Sequence, residues 1–197
     1  MEPAAERELI QLCLAGERNA FEAIVRAYEG RVYGFLLGLT RDADDARDLV
    51  QETFIRAWQR LAQYQPDRPF LPWLLAIARS RFRDALRGRR PVVRLDAAER
   101  NGYPDLVDPS PHADHLSEGQ RRTEQVWTAL GRLDQTDREV LVLKDISGLG
   151  YAEIAEILNI PLGTVASRVH YARQALREEL LTAGTEPLVP EPAGTLH

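Results

Sequence analysis

Two stretches of this sequence carry polar groups at spacings that recognition chemistry can use. The first is IPLGTVASRVHYARQAL, residues 160–176. Val165, Val169, Ala172, Leu176 and Leu180 recur at three- and four-residue steps, which gathers them on one side of a helix and turns Ser167, Arg168, His170, Tyr171, Arg173 and Gln174 to the other. Hydroxyl, guanidinium, imidazole and amide groups on one face are the donors and acceptors that read base edges and hold phosphates in a major groove. Thr164 and the free N–H groups at the helix start add a phosphate grip. The same pattern also suits a solvated face on an ordinary helical hairpin. The second stretch, RSRFRDALRGRR at 79–90, holds six arginines and one aspartate, a density that neutralises phosphates whatever the total charge.

No glycine-rich phosphate loop, cysteine cluster or catalytic triad pattern is present in the sequence, so neither an enzyme nor a cofactor is expected. HADH (112–115) places two histidines three apart beside an aspartate, but in a proline-rich run with no further ligands, and no metal site is expected there.

Helices must position these groups. Leu9, Leu12 and Cys13, then Phe21, Ile24, Val25 and Tyr28, then Val32, Phe35, Leu36 and Leu39 follow the helical period. Asp42 opens a further pattern with Ala46, Leu49, Val50, Thr53, Phe54, Ala57 and Leu61 on one side and Asp45, Asp48, Glu52, Arg56 and Gln59 on the other. Gln65–Pro69 breaks it, Pro72 fits the first turn of the next helix with Trp73, Leu74, Ile77, Ala78 and Phe82, and Gly88 and Pro91 end that helix. From 92 to 117 the period vanishes and Pro104, Pro109 and Pro111 join polar residues in a run that reads as a flexible linker. Helical pattern returns with Val126, Leu130 and Leu133, continues through Val140, Leu141 and Leu143, and then GYAEIAEIL, NIP and LGTVASRVHYARQALREEL spell two helices around a short turn. The tail 184–197 has no period and reads as disordered.

The chain of 197 residues has a formal net charge of -5, and its acid excess is local, with two basic against six acidic residues between 91 and 120. An acidic total therefore does not exclude DNA binding. With 44% apolar residues and no run near the ~20 needed for a bilayer, a globular protein without membrane insertion is expected, and the start MEPAAERELI lacks a signal pattern, which points to the cytoplasm. Its one cysteine, Cys13, sits among apolar neighbours and is expected buried.

The segment ALGRLDQTDREVLVLKDISGLGYAEIAEILNIPLGTVASRVHYARQALREEL resembles region 4 of bacterial sigma factors, and DARDLVQETFIRAWQRL with RPFLPWLLAIARSRFRDALRGRR resembles region 2. Only these two regions, joined by a linker, resemble the extracytoplasmic function (ECF) group of the sigma-70 family. The resemblance implies an all-α chain of two small domains: a region 2 helical bundle at 1–91 and, after the linker, a region 4 helix-turn-helix domain at 118–183. It implies a subunit that directs core RNA polymerase to promoters and opens DNA, held in check by an anti-sigma factor.

By the same resemblance, Asp48, Leu49, Gln51, Glu52 and Phe54 bind the clamp helices of the polymerase's largest subunit, and region 4 meets the flap of the second-largest. Tyr64, Asp67, Arg79, Ser80, Arg83 and Arg87 serve the minus-10 element, where a flipped base is trapped. Thr164, Ser167, Arg168, His170, Tyr171 and Arg173 serve the minus-35 element. The family often has Asn where this chain has Ser80, and basic residues where it has Ala166 and Tyr171. Two other readings stand beside this one: a free-standing helix-turn-helix regulator, and a helical interaction protein that has kept the fold without the DNA contacts.

Overall fold

The computed structural model describes residues 2–88 and 118–182. The linker at 92–117, HADH within it, and the tail at 184–197 lie outside the described residues. Four helices form the first unit: α1 (Pro3–Leu14), α2 (Arg18–Thr40), α3 (Ala43–Arg60) and α4 (Phe70–Gly88), with one 3-10 turn at Leu61–Gln63. The second unit holds α5 (Glu118–Arg132), α6 (Gln135–Leu141), a π-helical turn at Val142–Ile146, α7 (Tyr151–Leu158) and α8 (Leu162–Thr182). The described residues are thus helical and turn-linked, in two groups that correspond to the two expected units.

Capping explains where several helices begin. The Asp42 carboxylate accepts from the N–H groups of Asp44 and Asp45 at 2.9 and 2.8 Å, and Asp134 accepts from Asp137 N–H at 2.8 Å. At α7, which starts after Gly150, the Glu153 carboxylate reaches back to the Gly150 N–H at 2.6 Å. Asn159 ends α7 in the left-handed region at φ 54°, a conformation its short amide side chain tolerates, and so forms the tight turn into α8.

In the first unit α2 lies against α1, α3 and α4, and its fully buried Ile24, Val32, Phe35 and Leu36 form the centre. The second unit is built around α8, which contacts α5, α6 and α7 and buries Val165, Val169, Ala172 and Leu180. The helix through α6 does not run straight on: at Val142 the ladder widens to a π turn, Ser147 N–H bonds back to Val142 C=O at 2.9 Å, and Gly148 turns the chain at φ 72°. This break frees the chain to reverse into α7.

The units pack together. Buried residues of both form one continuous apolar cluster, with α2 against α5, α6 and the π turn, and α4 against α7. Glycine makes the close approach possible, since a Cβ on Gly38 of α2 would stand 2.8 Å from a methyl of Val142. Cys13 is buried at the edge of the α1–α2 contact, and burial raises its thiol pKa.

Candidate docking and nucleic-acid surfaces

The helix α3 separates its two faces cleanly. Ala46, Leu49, Val50, Thr53, Phe54 and Ala57 face the core, while Asp48, Gln51 and Glu52 are exposed. Leu49 and Phe54, at 6% exposure each, were expected as contact residues but lie on the core side of the helix. Sequence reasoning missed Ile55, which lies one turn beyond Gln51 and Glu52 and is 60% exposed. Trp58 follows it, partly exposed and braced edge-on by Phe21 with ring centroids 4.9 Å apart. The signal was present, because Ile55 is an apolar residue on the side the period assigns to polar ones. Acids and amides around an exposed apolar centre are the pattern of a protein-docking face, with charge for steering and apolar area for affinity.

The loop between the 3-10 turn and α4 is propped by an aromatic cluster. Phe70 is 1% exposed and its ring lies 5.2 Å from both Tyr64 and Trp73 and 5.5 Å from Tyr28, centroid to centroid. Tyr64 is buried too, and its hydroxyl donates to the Arg68 C=O, closing the loop on itself. Burial first, then the charges of Glu6 and Asp67, push its phenol up to about 12, so it stays a neutral donor. Tyr64, expected at the minus-10 element, is packed against Phe70 and Trp73, with ring centroids 5.2 and 5.3 Å away, and so shapes the loop. Asp67 is exposed at the loop tip.

Along α4, Ser80, Arg83 and Arg87 are exposed at three- and four-residue steps and share one face. Arg81 and Arg87 both pair with Asp84, and the Arg87 hydrogen bond leads in holding that carboxyl below its ordinary value. Arg79 departs from this face. Its Nε and one terminal nitrogen reach Glu139 of α6 at 3.0 and 2.9 Å, and its other terminal nitrogen donates to Ile157 C=O of α7 at 3.1 Å. In this arrangement Arg79, expected beside Ser80 and Arg83, is engaged with Glu139 and Ile157 instead of standing open on their face.

On α8 four of the six residues expected to face outward are exposed. Ala166, Ser167, His170, Tyr171 and Gln174 are exposed, with Tyr171 at 64% and its ring edge-on to His170. Thr164 and Arg168 are half-buried at the rim, and Arg168 lies near enough to Asp137 to lower that acid's otherwise raised pKa. Arg173 turns back to the π turn, where it meets the Asp145 carboxylate through two nitrogens at 3.2 and 2.5 Å, a pairing that raises its own pKa. The hydroxyl of Ser167 donates to backbone carbonyls of α8 itself, at 3.1 Å for Thr164.

Residues 24–92 match the sigma-70 region 2 family and residues 123–176 the sigma-70 region 4 family. The ECF RNA polymerase sigma factor SigW of Bacillus subtilis is 34% identical over 170 residues, 84% of this chain and 91% of that protein. The solved structure of CnrH in complex with the cytosolic domain of CnrY superposes with a TM-score of 0.68 at 29% identity, covering 92% of this chain and 99% of that one; the curated CnrH is from Cupriavidus metallidurans. The sigma factor RpoE of Bartonella quintana, solved with the anti-sigma factor NepR, gives a TM-score of 0.63 at 26% identity, over 82% of this chain and 96% of that one.

Proposed function

The chain belongs to the ECF group of the sigma-70 family of RNA polymerase sigma factors, and we propose that its exposed faces divide the work of promoter recognition between one protein partner and two DNA elements. Sigma factors are transcription initiation factors: they direct core polymerase to promoters. Among the described residues no helix is long and apolar enough to cross a membrane, and the proposed place of action is the cytoplasm, where polymerase meets its template.

In this reading the stripe Asp48, Gln51, Glu52 and Ile55 on α3 docks on the clamp helices of the polymerase's largest subunit. Carboxylates steer the encounter with a basic surface, and Ile55 and Trp58 supply the area that is desolvated in the complex. The region 4 unit meets the flap of the second-largest subunit. The loop tip at Asp67 with Ser80, Arg83 and Arg87 takes the minus-10 strand: cations hold the backbone while the propped loop receives an unstacked base. Ser167, His170 and Tyr171 of α8 read the minus-35 groove, with Thr164, Arg168 and Arg173 at its phosphates. The units run from 1 to 91 and from 118 to 183. An anti-sigma factor is the proposed regulator, supported by the NepR complex of the Bartonella quintana relative.

The observation that carries the reading is the set of three separate exposed faces, on α3, α4 and α8, each backed by a continuous buried apolar stripe of the same helix. Melting is the step to test. Ser80→Ala with Arg83→Ala should impair transcription from a duplex promoter several-fold more than from the same promoter with a pre-opened minus-10 bubble. Equal losses on both templates would point to a general binding defect and count against the minus-10 assignment.

A further inference from the structure

Of the acids at the start of the chain, Glu2 and Glu8 are exposed while Glu6 is half-buried. A carboxylate in the first turn of a helix is favoured by the helix's positive end whatever else it touches, so position alone gives Glu6 no role. Its partners do. One carboxylate oxygen accepts from the Tyr28 hydroxyl of α2, 22 residues on, and the other accepts from the Phe70 N–H, 64 residues on, at 3.4 Å. Phe70 is the first residue of α4, where a backbone N–H has no partner within its own helix and the helix's positive end attracts a carboxylate. Burial first, and then the bond to Glu6, push the Tyr28 phenol up, so it stays a proton donor. Both oxygens of Glu6 are thus matched to donors from other helices.

We propose that Glu6 is a positioning residue for base capture: from α1 it fixes two members of the aromatic cluster that holds the minus-10 loop in its receiving shape. The proposal rests on the minus-10 role given above to that loop. Tyr28 and Tyr64 both pack on Phe70, at 5.5 and 5.2 Å between ring centroids, and the Tyr64 hydroxyl closes the loop on the Arg68 C=O. Glu6 holds Tyr28 by its hydroxyl and Phe70 by its backbone, and it lines the same cleft as Pro66, Asp67 and Arg68 of the loop. The residues that match region 2 begin at 24, and α1 lies ahead of them, so the brace comes from outside the matched segment. Trapping a base costs the energy of unstacking it, and a loop that must be ordered at the same moment adds an entropic cost to that step. A loop already braced by Glu6 avoids the second cost. Loss of the brace therefore impairs the opening of DNA, while docking on core polymerase through α3 is left as it is.

Three variants grade the effect. Glu6→Ala removes both acceptors, Glu6→Gln keeps one neutral oxygen, and Tyr28→Phe removes one donor while keeping the ring. Hydrogen–deuterium exchange on the full chain should be faster in peptides covering 64–71 for Glu6→Ala, with α3 and α8 unchanged. In holoenzyme assembled with core polymerase, Glu6→Ala should lower transcription from a duplex promoter about tenfold relative to the same promoter with a pre-opened minus-10 bubble, the factor that one charge-assisted hydrogen bond corresponds to. Glu6→Gln and Tyr28→Phe should fall between Glu6→Ala and wild type; both keep the side-chain size, so they carry the same test at smaller amplitude if Glu6→Ala loses the fold. Ile10→Val trims a fully buried residue of the same helix, and should lower stability without moving the ratio between the two templates. Unchanged exchange at 64–71 in all three variants overturns the proposal, and so does a template ratio that moves as far with Ile10→Val as with Glu6→Ala. Faster exchange with an unmoved ratio overturns the capture role by rejecting the minus-10 place of the loop, and leaves the brace itself measured by exchange.

Discussion

The helices α3 and α4 lie side by side in one bundle, yet their polar faces end differently. On α3 the side chains of Asp48, Gln51, Glu52 and Ile55 are all exposed. On α4 the basic face is divided: Ser80, Arg83 and Arg87 are open, while Arg79 is held by Glu139 and Ile157 across the unit boundary. The difference teaches that a polar helical face is available or occupied according to what the rest of the chain sets against it. The helix's own period does not decide this.

The comparison breaks most severely through its buried support. Phe70, the first residue of α4, packs on Tyr28, Tyr64 and Trp73 beneath the loop, and truncating a fully buried Phe costs about 3–5 kcal/mol. Phe70→Ala should lower the unfolding free energy obtained from urea titration by that amount, whereas Ile55→Ala should stay within about 0.5 kcal/mol of wild type. A cost below about 1 kcal/mol for Phe70→Ala would mean that the aromatic cluster does not support the loop.

A smaller effect sharpens the α3 side. Ile55→Ala removes the most exposed apolar side chain of that stripe and is expected to weaken binding to core polymerase about tenfold, or ~1.4 kcal/mol, with single-stranded DNA affinity unchanged. Titration of labelled core polymerase gives the number. A change in DNA affinity instead would place Ile55 on the wrong surface.

The smallest effect lies on the open part of α4. Asp84 is a partly exposed acid whose carboxyl is held below its ordinary value by Arg87 and Arg81. A depressed folded-state value means that its stabilisation is present above the unfolded carboxylate range and is lost as the pH falls through the folded value. Asp84→Asn should therefore cost less than ~1 kcal/mol near pH 7, and the gap to wild type should close as the pH drops below about 4. Thermal melts across that range would show it; a gap that widened in acid would reverse the assignment.

Much of this arrangement was legible in the sequence. The 3.6-residue period placed Leu49 and Phe54 on the apolar side of α3 from the start, and only the transfer of family roles moved them to a contact surface. The Asp42 start and the outward Ser167, His170, Tyr171 and Gln174 of α8 follow from local signals that the helices themselves carry. The break at Val142 was not legible, because Val140, Leu141 and Leu143 continue an unbroken apolar pattern through it. Nor was the capture of Arg79 or the pairing of Arg173 with Asp145: each joins residues 60 and 28 positions apart, and a helix's own period contains no term for a distant partner.

The account stands most directly on transcription. Core polymerase should be supplied with a library of genomic fragments, with and without this protein, and the new transcripts mapped to their start sites. The account predicts protein-dependent transcripts whose upstream sequences share a paired minus-35 and minus-10 pattern, and their loss with Gln51→Ala and Glu52→Ala. Transcripts no different from core polymerase alone, under conditions in which the protein binds core, would contradict it.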